Sequence, residues 1–353
     1  MKTSDKNLFF SPYNISYTLS MLYPGAKNDT AVQIKKALCY NYPDNNIPQS
    51  FKKINDEMIN NIPSRMTLKS ASAVWGQKGS IINSDFINTI KENYNTAPET
   101  LDFVNDPNGA VKKMNQWVSD NTNGKIKNIM SSVRPDTKMV LAGALYFDAW
   151  WHKEFKPRVT KNEPFYLSDG KTISVPMMNN NLAANYKETD SYQALELLYN
   201  VFDYSMIIIL PKKGNFNKVE NMMTPELLKS TIKSLTAKRI ILKLPKFTYA
   251  SKTMNLNNIV MSMGMKDAFT PSADFSGIFE SEKPFVSQVR HKAFVEVNET
   301  GTTAGAYTVV EIMTGRTPET RLNFFCDRPF IYLIYNKKIN TILFIGRVMN
   351  PKE

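Results

Sequence analysis

The stretch from residue 299 to residue 321 constrains the fold of this chain more than any other part of the sequence. Read with a period of two, it separates into two faces, as a strand does. One face carries the bulky Tyr307 and the charged Glu311, whereas the other is small at its start, apolar later and uncharged throughout. The uncharged face consists of Thr302, Ala304, Ala306, Thr308, Val310, Ile312 and Thr314.

The first third of this stretch has a poor composition for an ordinary strand. Residues 301–306 read Gly-Thr-Thr-Ala-Gly-Ala, which are small and flexible. The pattern therefore predicts a segment that exists as a loop and is able to become a strand with one face buried. The alternative is a long hairpin loop that follows a strand at residues 285–297.

The rest of the chain predicts one mixed α+β domain spanning residues 1–353, because no linker, repeat or low-complexity tract divides it. Residues 204–210 and 341–345 are continuous apolar runs, which favours strands buried on both faces. Helical patterns cover residues 12–22, 31–38, 51–62, 84–94, 107–118 and 224–235. Strand patterns cover residues 68–75, 139–150, 194–199, 204–210, 240–249, 285–297, 330–335 and 341–348.

Composition excludes two classes of protein. With 42% hydrophobic and 22% charged residues, the chain is not expected to be disordered. No stretch approaches the roughly 20 consecutive apolar residues of a membrane-spanning helix, so no membrane partner is expected.

The first residues contain no apolar run typical of a secretory signal. We therefore expect a cytoplasmic protein, secretion by a leaderless route, or prior removal of a leader.

The residue types needed for catalysis and metal binding are scarce. Cys39 and Cys326 are far apart in sequence, which favours two free thiols, and two histidines without a nearby ligand cluster make a metal site improbable. The chain has no G-x-S-x-G, phosphate-loop or G-x-G-x-x-G motif, so neither an enzyme nor a cofactor is predicted. His291 lies in a strand-like pattern and is interpreted as a hydrogen-bonded structural residue rather than a catalytic base.

The net charge of +12 predicts affinity for polyanions such as heparin. The basic pairs are scattered without interleaved aromatic residues, so nucleic acid is not an expected partner. In the helix predicted at residues 51–62, only Lys52 and Lys53 would face a polyanion.

Eight motifs, in order and at suitable spacing, show that the chain resembles the serpins over residues 7–351. Asn-Leu-Phe-Phe-Ser-Pro-Tyr-Asn-Ile-Ser at residues 7–16 resembles the opening of the family's helix B, and Leu-Tyr-Phe-Asp-Ala-Trp-Trp at residues 145–151, with Phe155, resembles its central strand. The other six motifs lie at residues 23–30, 174–178, 273–278, 289–293, 327–330 and 344–348.

The resemblance implies three β-sheets surrounded by about eight helices, with an exposed reactive centre loop at about residues 299–321. It also implies that helix A is absent or shortened, since only six residues precede Asn7. In the centre of the large sheet A the family usually has an asparagine where this chain has Gly143, and Asn14 replaces a small serine of helix B. We expect the Asn14 amide to fill the space above Gly143 and to join Ser11 and His291 in the network that controls sheet opening. Trp151 matches the family's tryptophan near the loop's insertion point, with plain core packing as the alternative.

In inhibitory serpins, a serine or cysteine protease cuts the loop and becomes acyl-linked to it, and the loop then inserts into sheet A. The resemblance thus implies a target serine protease as covalent partner of a monomeric inhibitor. The inserting hinge would consist of Glu299, Gly301, Thr302, Thr303, Ala304, Gly305 and Ala306, whose small inward residues favour an inhibitor over a non-inhibitory binding or chaperone serpin.

The reactive bond is expected at Arg316–Thr317, next to a Gly-Arg pair like that of antithrombin-type loops. A guanidinium pairs well with the acidic specificity pocket of a trypsin-like protease. The family's usual spacing points instead to Gly315. Met313 is a further alternative and suits a chymotrypsin-like or elastase-like enzyme.

Overall fold

Proline residues and capping side chains set the starts of several helices in the computed structural model, which describes residues 5–41, 43, 46–59, 62, 65–280, 283–302 and 320–353. The Ser11 side chain accepts a hydrogen bond from the Asn14 amide, and Pro12 occupies the first turn. Asp106 and Thr224 cap two further helices in the same way. The helices are α1 (Pro12–Ser20), α2 (Asn28–Ala37), α3 (Ile47–Ile59), α4 (Ser84–Tyr94), α5 (Pro107–Asn121), α6 (Phe216–Met222), α7 (Pro225–Lys233) and α8 (Asn257–Ser262).

The strands among the described residues form two hydrogen-bonded networks. The strands of the first network, sheet A, are β2 (Met66–Gln77), β3 (Glu99–Leu101), β4 (Met139–Trp150), β10 (Phe247–Ala250), β11 (Met254–Asn255), β12 (Val286–Lys292), β13 (Phe294–Val297) and β14 (Gly301–Thr302). The strands of the second are β1 (Leu8–Phe10), β5 (Lys161–Tyr166), β6 (Thr172–Glu188), β7 (Tyr192–Leu198), β8 (Tyr204–Pro211), β9 (Thr236–Pro245), β15 (Leu322–Phe325), β16 (Phe330–Asn336) and β17 (Thr341–Val348).

The long strand β6 joins the two smaller sheets of the fold into the second network. Its pairing with β5 and β9 covers most of its length, whereas its last four residues also pair with β7. Every residue of β8 and β16 is buried, because these strands lie in the middle of the network.

Two predicted strands are each divided in the structure. The pattern at residues 240–249 becomes β9 and β10, which belong to different sheets, and the division follows Pro245, which cannot donate a backbone hydrogen bond. The pattern at residues 285–297 becomes β12 and β13, divided at Ala293, whose amide donates to the Ser251 hydroxyl at 2.9 Å.

Sheet A has a discontinuity that positions the candidate site. Strands β4 and β12 are parallel neighbours, with Ala144 opposite Lys292 and Gly143 opposite His291. Nearer the carboxyl end of β4, the two-residue strand β14 lies between β4 and β13 and is antiparallel to both. A strand antiparallel to two parallel neighbours can form hydrogen bonds on both of its edges, so the seam between β4 and the β12–β13 segment can accept one.

Candidate functional site

Two of the hinge residues, Gly301 and Thr302, already lie in the seam. Gly301 pairs with Trp150, and Thr302 pairs with Ala149 on one side and with Val297 on the other. The Thr302 side chain is 1% exposed, and its hydroxyl lies 2.8 Å from the hydroxyl of Tyr199. Thr302 therefore points into the protein, as the period-two pattern predicts. A side chain at position 301 would collide with the Ala149 carbonyl at 2.1 Å, which explains glycine at the start of the inserted segment.

Trp151 holds the chain just before the hinge. Its backbone amide donates to the Thr300 carbonyl at 2.8 Å, and its indole Nε1 donates to the Asn298 carbonyl at 3.0 Å. The indole also stacks on the ring of Tyr199, with 4.7 Å between centroids. Trp151 thus combines core packing with direct hydrogen bonds to the segment that leads into the loop.

Glu299 anchors the same segment through a nearly buried carboxylate. One carboxylate oxygen lies 2.8 Å from the Lys246 ammonium, and the other accepts a hydrogen bond from the Thr160 hydroxyl at 2.9 Å. Burial acts to raise the pKa of Glu299, but the interactions with Lys246 and Thr160 outweigh it, so the pKa is lowered. The carboxylate is therefore ionised at neutral pH. Its ion pair connects the hinge to Lys246, the residue that precedes β10.

A second cluster lies farther along the seam, where helix α1 meets β4 and β12. The Ser11 amide donates to Nε2 of His291 at 3.0 Å, and the Ser11 hydroxyl accepts from the Asn14 amide. The Asn14 side-chain amide donates to the carbonyls of Ala71 on β2, at 3.3 Å, and Ala144 on β4, at 3.2 Å.

Asn14 fills the space that a side chain at position 143 would need. A Cβ atom built on Gly143 would lie 2.4 Å from the Asn14 Oδ1 and 2.2 Å from the Thr18 hydroxyl. The structure thus places the Asn14 amide above Gly143 and links it through Ser11 to His291, which lies opposite Gly143 on β12. The Thr18 hydroxyl extends the cluster to Ser72 on β2, at 2.7 Å.

His291 is expected to make stability depend on pH. Burial lowers the pKa of His291 to about 4, and the Gly143 backbone only partly opposes the shift. Below about pH 6.5, the unfolded chain binds a proton at this ring that the folded protein does not, so the free energy of unfolding falls as the pH drops toward 4. We expect a contribution of about 3 kcal/mol to be lost between pH 7 and pH 4, measured by urea unfolding.

The chain's other histidine provides a matched control. His291→Gln keeps an acceptor for the Ser11 amide and should flatten the stability profile across this pH range. His152→Gln, at an exposed ring, should leave the profile as it is in the unmodified protein. Parallel profiles for the unmodified protein and His291→Gln would contradict the prediction.

The sequence could not identify Tyr199, Thr160 and Lys246, which contact the hinge segment but are distant from it along the chain. Eight predicted site residues lie outside the described residues: Thr303, Ala304, Gly305, Ala306, Met313, Gly315, Arg316 and Thr317.

In the part of the chain that the structure describes, no three His, Cys, Asp or Glu side chains come together as metal ligands would. None of the helices described is both long and apolar enough to cross a membrane. Cys39 and Cys326 are both free thiols.

Comparisons with known proteins agree with this geometry. A family model described as Serpin (serine protease inhibitor) matches residues 1–351. A serpin-like protein of Thermococcus kodakarensis is 37% identical over 352 residues, which cover 99% of this chain and 82% of that protein. The leukocyte elastase inhibitor of Bos taurus is 34% identical over 357 residues, which cover 98% of this chain and 93% of that protein. The crystal structure of human thyroxine-binding globulin superposes with a TM-score of 0.92 at 30% identity, covering 99% of this chain and 94% of that chain.

Proposed function

The chain belongs to the serpin family, and from that premise we propose that it inhibits a trypsin-like serine protease as a suicide substrate. The observation that carries the proposal is the position of Gly301 and Thr302 between β4 and β13. The loop already pairs on both edges at Thr302. It can become a full strand of sheet A by continuing the same register while β12 separates from β4.

Continuing the register favours insertion rather than obstructing it. Since Thr302 lies opposite Ala149, antiparallel pairing would bring Ala304 opposite Phe147 and Ala306 opposite Leu145. Phe147 and Leu145 are buried, so the interior of the sheet can receive only small or apolar side chains at these places. The uncharged face of the loop meets that requirement.

The proposed reaction is an interrupted proteolysis. The serine hydroxyl of the protease attacks the carbonyl carbon of Arg316, the bond to Thr317 breaks, and the Thr317 nitrogen leaves as an amine after accepting a proton from the protease. An ester joins the protease to Arg316. Insertion of residues 303–316, at about 3.3 Å each, would then carry the protease about 45 Å from its docking position before the ester is hydrolysed.

Substitution of the expected reactive residue tests the proposal. Arg316→Ala should reduce the rate of covalent complex formation with trypsin by at least about a hundredfold, because the charge-assisted contact with an acidic specificity pocket is lost. Arg316→Lys keeps the charge and should retain most of the rate. Complexes are measured as SDS-resistant bands, and N-terminal sequencing of the released fragment should begin at Thr317. A fragment that begins elsewhere would contradict this assignment of the bond.

The N-terminal sequence of the released fragment also distinguishes between the other candidate reactive bonds. A fragment beginning at Thr314 would indicate cleavage after Met313 and a chymotrypsin-like, elastase-like or cysteine protease target. The name of the bovine relative, leukocyte elastase inhibitor, gives this second candidate its support. A fragment beginning at Arg316 would indicate Gly315. Rapid cleavage without any covalent complex would instead favour a non-inhibitory binding or chaperone serpin.

We further propose a weak, salt-dependent affinity for polyanions such as heparin. The net charge of +12 supports the affinity. Helix α3 adds little, because Lys52 already lies 3.6 Å from Asp56 and few other basic residues flank it. Retention on a heparin column that ends at low salt would agree with this proposal, and no retention at all would contradict it.

A further inference from the structure

We propose that a cavity behind the hinge binds a small organic anion with an apolar body, such as a medium-chain carboxylate. The cavity has a volume of about 350 Å³ and lies where the residues after β4 meet β6, β7 and β9. This volume falls within the usual range for small-molecule sites. The site goes beyond the proposed inhibitory function, since neither loop cleavage nor loop insertion requires an occupant.

The inner wall of the cavity is apolar. It is formed by five buried side chains: Trp151, Phe155, Leu182, Leu197 and Leu242. Such a wall stabilises an alkyl chain or an aromatic ring by removing it from water, at about 25 cal/mol for each Å² of apolar surface.

The outer part of the cavity is cationic. Lys153 and Arg239 line it, and Arg239 is exposed at the protein surface. A guanidinium can bind a carboxylate through two parallel hydrogen bonds, and the net charge of +12 adds a long-range attraction for anions. The combination of an apolar wall with a cationic rim selects a ligand that has an apolar body and one anionic end.

The single carboxylate among the residues that line the cavity forms an ion pair with a lysine of the protein, which offsets its repulsion of an anion. Glu196 is 6% exposed, and one of its oxygens accepts a hydrogen bond from the Asn185 amide at 2.7 Å. The other oxygen accepts no hydrogen bond but lies within ion-pair distance of the Lys337 ammonium, at 3.5 Å.

The cavity shares two aromatic residues with the hinge region. The backbone amides of Trp151 and Phe155 donate to the carbonyls of Thr300 and Glu299, while their rings line the cavity. An occupant would therefore touch the residues that fix the chain ahead of the loop. It should change the fluorescence of Trp151 when it binds.

Titration of the intact protein with sodium decanoate, by calorimetry and tryptophan fluorescence, tests the proposal without any protease. We expect saturable binding of one decanoate per chain and no comparable binding of decylamine, which has the same chain length and the opposite charge. Arg239→Gln should raise the Kd at least about tenfold, as expected for the loss of a charge-assisted pair. Lys238→Gln, at an adjacent exposed residue that does not line the cavity, is the matched control and should leave the Kd unchanged.

A second variant tests the inner wall. Ala184 is buried and lines the cavity, so Ala184→Phe should fill it and abolish the calorimetric signal. A cooperative thermal transition would verify that this variant is folded. If Ala184→Phe does not fold, the affinity of Arg239→Gln tests the proposal alone, because that substitution is at an exposed residue. The proposal is overturned by non-saturable binding, by decylamine binding as tightly as decanoate, or by unchanged affinity in Arg239→Gln. None of these outcomes affects the proposed inhibition, which is measured separately with trypsin.

Discussion

Ala304→Arg is expected to convert the proposed inhibitor into a plain substrate of trypsin. In the continued register, residue 304 meets Phe147 with its side chain directed into the core, where a guanidinium would be buried without a partner. A buried unpaired charge costs several kcal/mol, and each 1.4 kcal/mol corresponds to a factor of ten. The yield of SDS-resistant complex should therefore fall at least about tenfold, while the loop is still cut.

The neighbouring position provides the control. Thr303→Arg adds the same side chain, but the alternation directs it to the opposite face of the sheet, beside Asp148 on β4 and Glu296 on β13. A guanidinium there would meet two acidic residues and should leave complex formation within about twofold of the unmodified protein. Equal losses in both variants would contradict the predicted direction of the loop's two faces.

Cleavage of the loop is expected to raise the melting temperature by about 15 °C. If about ten new backbone hydrogen bonds each contribute about 1 kcal/mol, insertion stabilises the cut form by about 10 kcal/mol. A chain of this length unfolds with an entropy of roughly 0.7 kcal/mol/K, which converts that energy into the stated shift. Calorimetry of cut and uncut samples, with the cut located by mass spectrometry, measures the difference.

The Ala304→Arg variant is the control for this measurement as well. When cut at the same bond, it should melt close to its uncut form, because the strand cannot enter the sheet. An unmodified protein that melts at the same temperature before and after cleavage would remove the basis of the proposed inhibitory mechanism.

The sequence predicted most of the strongly periodic elements and missed those whose patterns are interrupted. The strands at Met139–Trp150 and Thr341–Val348 and the helix at Ser84–Tyr94 have the predicted bounds. The alternating pattern does not predict β6, although the family motif at residues 174–178 lies in it, because Asn179, Asn180 and Asn181 stand in its middle and asparagine is a poor strand former. Pairing with β9 along that stretch outweighs the local preference. Helices α6 and α8 are only seven and six residues long, too short to show a clear period.

The candidate site was partly accessible to sequence reasoning. The two-residue alternation correctly placed the Thr302 side chain inside, and the replacement of a family asparagine by Gly143 pointed to Asn14 as the side chain that fills the gap. Contacts made by Tyr199 and Lys246 depend on how distant strands are brought together, and no local pattern carries that information.

Asn14 connects two strands of sheet A to one helix. The side-chain amide of Asn14 donates hydrogen bonds to carbonyls on both β2 and β4, so helix α1 links these two strands. Strand β12 is connected to the same helix end by the hydrogen bond between Ser11 and His291. We therefore expect sheet A to open between β4 and β12, where the hydrogen bond between Ser11 and His291 adds roughly 1 kcal/mol to the backbone pairing that must break.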